Sequence, residues 1–156
     1  PPGKSSSRVE PALRPSLCRK QPVGGRDRRQ VAMAECPFCS PLRDRVTLRN
    51  EHAYVLQDEF PVTPLHALVI PVRHARDYFE LTREELLACD DLLRAASEFL
   101  GAGDPTIEGF NIGVNVGGVA GQTIFHCHFH LIPRRRGDVE NPRGGVRNTI
   151  PGKGDY

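Results

Sequence analysis

Three kinds of hydrophobic patterning succeed one another along the chain. Short apolar runs occupy 46–70, a three- to four-residue period occupies 82–100, and alternation by twos occupies 110–132. Val46–Leu48 and Ala53–Leu56 predict a hairpin around Arg49-Asn50-Glu51, and Ala67–Ile70 predicts a short, fully apolar strand closed by Pro71. Thr82-Arg83-Glu84-Glu85 has the residues of a capping box, so a helix is predicted to open there. Leu86, Cys89, Leu93, Ala96 and Leu100 give that helix one apolar stripe, and Gly101 and Gly103 are predicted to end it. Phe110, Ile112, Val114 and Val116 alternate with Asn111, Gly113 and Asn115, a strand with one apolar and one amide-bearing face. From His126 to Ile132 three histidines alternate with Cys127, Phe129 and Leu131. Strands of this two-faced kind with one amphipathic helix predict an α+β domain, an antiparallel sheet with one main helix packed on it.

Length and charge bound the organisation. A chain of 156 residues makes one domain of ordinary size, and Leu, Val, Ile and Ala suffice for its core although tryptophan is absent. The formal net charge of +2 conceals an asymmetry. Residues 1–32 hold eight basic and two acidic residues, whereas 33–156 hold thirteen basic and seventeen acidic, a net of −4. That balance argues against a general nucleic-acid binder. No stretch approaches the length of a membrane span, so no membrane partner is expected. Residues 1–32, rich in Pro, Gly, Ser and Arg, are expected to be disordered. Met33 is the only methionine, and the simplest account is that the native protein begins there; an Arg- and Ser-rich transit peptide is the alternative. Residues 33–156 then form the domain, with a tail from about 134. The basic residues Arg134, Arg135, Arg136, Arg143, Arg147 and Lys153 lie in that tail, either solvated or attracting a polyphosphate.

The histidine array carries the chemistry. A strand sends successive side chains to opposite faces, so one face buries an apolar row and the other presents three imidazoles. Three readings are open: a solvated polar face, a metal-dependent hydrolase site, or phosphoryl chemistry with one histidine as nucleophile and its neighbours on the phosphate oxygens. The flanks favour the last. Asn111 and Asn115 lie on the polar face of the preceding strand, Gly117, Gly118 and Gly121 form a turn whose N–H groups can approach a ligand closely, and Gln122 and Thr123 add neutral hydrogen-bonding groups.

The chain has five cysteines and no secretory signal, which suits reduced thiols in a cytoplasmic protein. Cys36-Pro37-Phe38-Cys39 stands apart as either half of a zinc site or a redox pair. A redox role calls for a βαβ setting, which does not follow it, and one knuckle alone cannot complete four-coordinate zinc. Cys89 and Cys127 fall on apolar faces and are expected to pack; His52 is expected at the surface.

Over roughly residues 35–137 the chain resembles the histidine triad (HIT) superfamily of nucleotide hydrolases and transferases. The resemblance rests on His126-Cys127-His128-Phe129-His130-Leu131-Ile132, on Ala120-Gly121-Gln122-Thr123 and on Pro64-Leu65-His66-Ala67-Leu68-Val69-Ile70-Pro71, with Leu65 standing where most members have glycine. With its Cys-x-x-Cys and its tail through Pro142-Arg143-Gly144-Gly145, the chain is similar to a bacterial branch. The resemblance implies a HIT-like fold, a two-fold homodimer and a nucleotide substrate cleaved at its α-phosphate through a nucleotidyl-histidine intermediate. Dinucleoside polyphosphates or nucleoside phosphoramidates are the implied substrates, with adenine implied as the base. It assigns His128 as nucleophile, His130 and His66 as donors to phosphate oxygens, and His126 as its support. Asp58 matches the residue that binds the ribose hydroxyls, Gln122 and Thr123 positions near the leaving group, Asn115 a phosphate-proximal position, and Asn111 a brace on neighbouring backbone. It also implies a structural zinc held by Cys36, Cys39, His74 and His126, and no organic cofactor. A nucleotidyl transferase using the same intermediate, or a non-catalytic nucleotide- or zinc-binding module, are the alternatives.

Overall fold

The computed structural model describes residues 10–11, 36–41 and 43–154, so the expectation of disorder in 1–32 falls outside the described residues but for Glu10 and Pro11. Among the described residues, five strands of four residues or more and one long helix make up the fold: β1 Val46–Arg49, β2 Ala53–Gln57, β3 Ala67–Pro71, α1 Arg83–Gly103, β4 Ile107–Val114 and β5 Phe129–Arg135. Every pairing in the sheet is antiparallel and its order is β1-β2-β3-β5-β4. The two-residue segment Glu10–Pro11 pairs with Arg49 and Leu48 and extends the β1 edge.

β2 and β3 lack polar alternation because both of their faces are covered. Ala53, Val55, Ala67 and Val69 join Ala88, Cys89, Leu92, Leu93 and Ala96 of α1 in one cluster, with Cys127, Phe129 and Leu131. The intervening residues Tyr54, Leu56, Leu68 and Ile70 point the other way and pack against Phe38. The segment 36–41 is thus a second cover over the middle of the sheet. The Tyr54 hydroxyl donates to the Phe38 carbonyl at 2.5 Å, which ties that cover to β2.

The helix opens as its sequence predicts. Thr82 Oγ1 accepts from Glu85 N at 3.3 Å and Glu85 Oε2 accepts from Thr82 N at 2.9 Å, a complete capping box. Glu85 is also held by the Arg73 guanidinium through two bonds of 2.7 Å, which fixes the start of α1 to the segment that follows β3. At the other end α1 runs through Gly101 to Gly103, and Asp104 N closes the last turn on the Leu100 carbonyl at 3.0 Å.

Three boundaries differ from the sequence expectation. β4 stops at Val114, because Asn115 and Val116 enter the glycine turn. The ladder of β5 begins only at Phe129; ahead of it, Cys127 N donates to the Ala75 carbonyl at 2.7 Å instead of to a strand. β5 in turn includes Arg134 and Arg135, so the tail begins later than expected. The turn before His66 keeps its shape without glycine. His66 N donates to the Thr63 carbonyl at 3.1 Å, Pro64 occupies the second corner, and Leu65 takes φ +69°, the left-handed conformation that a type II turn requires there. A non-glycine residue in that region costs about 1 kcal/mol.

One buried side chain joins the hairpin to the helix. Asn50 donates to the Ala88 carbonyl at 2.8 Å and accepts from Ala53 N at 2.8 Å and His52 N at 3.1 Å. Asn50→Ala removes a hydrogen-bonded buried amide and strands its partners, so a loss of about 2 kcal/mol is expected. Urea unfolding monitors it: a lower midpoint with unchanged slope is the expected result, and a loss under about 0.5 kcal/mol contradicts the bridging role.

Candidate active site

The chain around β5 splits by twos. Cys127, Phe129 and Leu131 lie in the helix-side core, and His126, His128 and His130 turn to the opposite face. That face is not open, as alternation alone suggests. His126 is fully buried and His128 is only 7% exposed, because Phe38 packs edge-on against both rings at centroid distances of 6.0 and 5.2 Å.

His128 Nδ1 lies 2.8 Å from the His126 carbonyl oxygen. A carbonyl only accepts, so Nδ1 carries the hydrogen and Nε2 keeps a lone pair. His128 lines a cleft of ≈460 Å³ together with His130, Asp58, Thr123, Ile124, Leu56, Leu68 and Phe38.

His130, His66 and Asp58 form a chain. His66 Nε2 lies 3.0 Å from His130 Nδ1, and His66 Nδ1 lies 3.2 Å from Asp58 Oδ2. An ionised Asp58 requires a proton on His66 Nδ1; His66 Nε2 then accepts from His130 Nδ1–H, and His130 Nε2 is the nitrogen left for the cleft. The other contact at His66 Nδ1, from Val62 N at 3.4 Å, is too long to reverse that order. Both His66 nitrogens are therefore engaged within the protein, one with His130 and one with Asp58. Burial holds both imidazoles below their ordinary range. His66 is pulled back partly by Asp58; His130, also near His128 and His66, is pushed down to about 4. Asp58 Oδ1 accepts from Phe60 N at 2.9 Å, and the carboxylate lines the cleft.

Of the remaining expected residues, only Thr123 lines this cleft. Gln122 is 4% exposed and its amide is used up in shaping the glycine turn. Its Oε1 accepts from Gly117 N at 2.8 Å, and its Nε2 donates to the Arg76 and Ile124 carbonyls at 2.7 and 3.2 Å. Asn115 lies beside that turn, its Nδ2 close to Gly121. Asn111 is paired across from Ile132, two residues along the ladder from the Gly113–His130 pair, and accepts from Arg134 in a separate groove lined also by Val62 and Asn148. The arginines after the triad do not form an open cationic patch. Arg134 pairs with Asp138, Arg135 with Asp104 and Arg136 with Glu108, each at 2.7 Å. Two charged residues that the sequence did not single out, Arg45 and Glu59, line the outer part of the cleft and pair with each other at 3.5 Å. Glu59 directly follows Asp58, but no local pattern links it to Arg45, fourteen residues earlier in the chain.

Cys36, Cys39, His74 and His126 come together as one cluster, all four ligand atoms lying within 4.8 Å of one another. Bond lengths of ~2.3 Å to sulfur and ~2.05 Å to nitrogen at a tetrahedral angle place ligand atoms ~3.6 Å apart. His126 Nδ1 lies 3.5 Å from Cys36 Sγ and 3.6 Å from Cys39 Sγ, and His74 Nδ1 lies 3.1 Å from Cys39 Sγ. The His126 Nε2 hydrogen goes to the Pro71 carbonyl at 2.9 Å, the orienting bond a metal-binding imidazole needs. The donor set fits a divalent soft metal. Between the two cysteines, Pro37 and Phe38 form a wall of the cleft, so the cluster and the cleft share a segment.

A family model described as HIT domain matches residues 41–137. Among curated relatives, an uncharacterized 16.1 kDa HIT-like protein of Mycoplasma pneumoniae is 36% identical over 112 residues, covering 69% of this chain and 76% of its own. An adenylylsulfatase of Arabidopsis thaliana is 30% identical over 144 residues, covering 88% of this chain and 72% of its own. Among solved structures, a zinc-bound histidine triad family protein of Mycobacterium smegmatis aligns with a TM-score of 0.62 at 29% identity, over 68% of this chain and 79% of that one. A diadenosine triphosphate hydrolase of Plasmodium falciparum aligns with a TM-score of 0.58 at 28% identity, over 62% of this chain and 65% of that one.

The buried histidines set an acid limit on the fold. In the unfolded chain imidazoles take up protons near pH 6.5, whereas folded His66 and His130 resist protonation. Their contribution is fully present above that value and is lost as the pH falls towards 4. The melting temperature is expected to drop between pH 7 and pH 5, and less so in His130→Gln. An equal or higher melting temperature at pH 5 contradicts this.

Proposed function

The chain belongs to the HIT domain family, and on that basis we propose that it is a nucleotide hydrolase working through a covalent intermediate on His128. The observation that carries this reading is the 2.8 Å contact from His128 Nδ1 to the His126 carbonyl, beside the cleft. It fixes the tautomer whose Nε2 lone pair can attack. His128 Nε2 bonds to the α-phosphorus of a bound nucleotide, and the bond from phosphorus to the bridging oxygen or nitrogen of the leaving group breaks. The carbonyl on Nδ1–H steadies the imidazolium-like charge that the ring acquires. Water then attacks phosphorus, the nucleoside monophosphate departs, and neutral His128 returns.

His130 serves the phosphate oxygens in this scheme. The negative substrate opposes the effects that hold His130 neutral, so its Nε2 gains a proton and donates to the phosphate, while His66 and Asp58 hold the ring from behind. Asp58 lines the cleft where a ribose lies and has acceptor capacity for its hydroxyls. Thr123 stands at the leaving-group side. Gln122 shapes the turn that carries Thr123, and Asn115 buttresses the same turn. The relatives named for adenylyl sulfate and diadenosine triphosphate both point to a nucleotide joined through its phosphate to a leaving group. Dinucleoside polyphosphates and nucleoside phosphoramidates are the substrates proposed here, and a two-fold dimer, testable by sedimentation mass, belongs to the same reading.

Zinc is the metal proposed for Cys36, Cys39, His74 and His126, where it supplies a cross-link between the start of the domain, the end of β3 and the triad. Support comes from the spacing of the ligand atoms and from the zinc-bound relative.

His128→Asn keeps a polar group of similar reach at a buried position and is expected to lower kcat by roughly a thousandfold or more, with a cooperative unfolding transition retained. Activity within tenfold of the parent removes the nucleophile assignment. Cys36→Ser or prolonged chelation is expected to lower the melting temperature by several degrees and to raise KM more than it lowers kcat, because the cysteine loop walls the cleft. No zinc by elemental analysis, with an unchanged melting temperature, removes the metal.

A further inference from the structure

The cleft extends well past the histidines, and its far end is charged. Strand registers give its direction. His130 on β5 faces Leu68 on β3, Leu68 faces Leu56 on β2, and Leu56 faces Val46 on β1. Residues opposite each other in neighbouring strands share a face, so these four form one row across the sheet. Three steps at strand spacing make roughly 14 Å. That span suits a nucleoside monophosphate bonded to a histidine at one end and hydrogen-bonded by its base edge at the other. Leu56 and Leu68 are the apolar floor under its middle, Phe38 is a side wall, and Asp58 stands at the position of the sugar.

Arg45 precedes Val46 at the outer end of that row, and Glu59 lies across from it at 3.5 Å. Both line the cleft, and both retain free bonding capacity, with side chains 37% and 67% exposed. Asp58, the neighbouring carboxylate, accepts from His66 through Oδ2 and from Phe60 N through Oδ1, and its remaining acceptor capacity faces the sugar rather than the base. The exposed ring of Phe60 stands at the same mouth, where an aromatic face can cover a planar base.

We infer that the Arg45–Glu59 pair reads the hydrogen-bonding edge of the base and that this site prefers guanine to adenine nucleotides. This rests on the nucleotide reading above and replaces the adenine preference that the family resemblance implies. Guanine presents N1–H and the N2 amine side by side, two donors matched to the two oxygens of one carboxylate, and its O6 accepts from a guanidinium. Adenine offers one amine donor and turns the lone pair of N1 towards the carboxylate, which repels it. Solvent at the mouth weakens both effects, so the expected discrimination is about tenfold rather than the thousands that a buried pair gives.

Calorimetric titration of the full chain with GMP, IMP and AMP tests this. The expected order of affinity is GMP, then IMP, then AMP, because IMP keeps N1–H and O6 but lacks the N2 amine. Glu59→Gln is expected to bring GMP to within about twofold of AMP, by lowering GMP affinity and by relieving the repulsion of adenine N1. Arg45→Met, which keeps the carboxylate and loses the O6 donor, is expected to lower GMP and IMP affinity together. Equal binding of GMP and AMP by the parent, tighter binding of AMP, or an equal loss for both nucleotides in Glu59→Gln overturns the base assignment and leaves the nucleotide site standing. Failure of all three nucleotides to bind overturns both.

Discussion

The two-residue period from His126 to Leu131 is the constraint on which the rest of the molecule depends. Cys127, Phe129 and Leu131 are nearly or wholly removed from solvent against α1 and the sheet. A slip of one residue would send those three to the cleft and three imidazoles into the apolar core. Burying unpaired imidazoles is far costlier than burying the apolar trio. The hydrophobic core therefore aims the chemistry: the site is the reverse side of a segment whose other face is buried against α1. Its precision follows from packing, on one side by this core and on the other by Phe38 of the cysteine loop.

His126 shows how tightly the two halves of the site are joined. Its Nδ1 faces the cysteine sulfurs, its Nε2 is bonded to the Pro71 carbonyl, and its own carbonyl holds Nδ1 of His128. One residue thus belongs to the metal cluster by its side chain and to the nucleophile by its backbone. The cysteine loop completes the coupling, since Phe38 packs on His126 and His128 and walls the cleft. A metal held by this cluster would fix the loop, the segment after β3 and the orientation of His128 together.

The sequence revealed the periodic features of the fold and the clustered features of the site. The hairpin, the apolar strand of β3 and the capping box of α1 were legible because each is set by neighbours within a turn or two. So was the splitting of the histidines from Cys127, Phe129 and Leu131. Features decided over long distances were hidden. Nothing local to Asn50 announces Ala88 as its partner, and nothing local to Arg135 and Arg136 announces Asp104 and Glu108. Burial of His126 and His128 depends on Phe38, some ninety residues earlier in the chain. Leu65 marks the limit of residue preference, since the turn keeps its left-handed corner although leucine pays for it in strain. Arg45 and Glu59 became visible as a pair only when β1 and the end of β2 were set side by side.

The central claim is that a nucleotide becomes bonded to His128, and the most direct measurement is mass spectrometry of the intact chain quenched within milliseconds of mixing with a nucleoside phosphoramidate or a dinucleoside polyphosphate. The adduct site is mapped by fragmentation and released monophosphate is followed in the same samples. The account predicts a mass increase of one nucleotidyl group, localised to His128 and decaying as monophosphate appears. Steady release of monophosphate with no adduct at any quench time, from a protein whose activity survives His128→Asn, would contradict it.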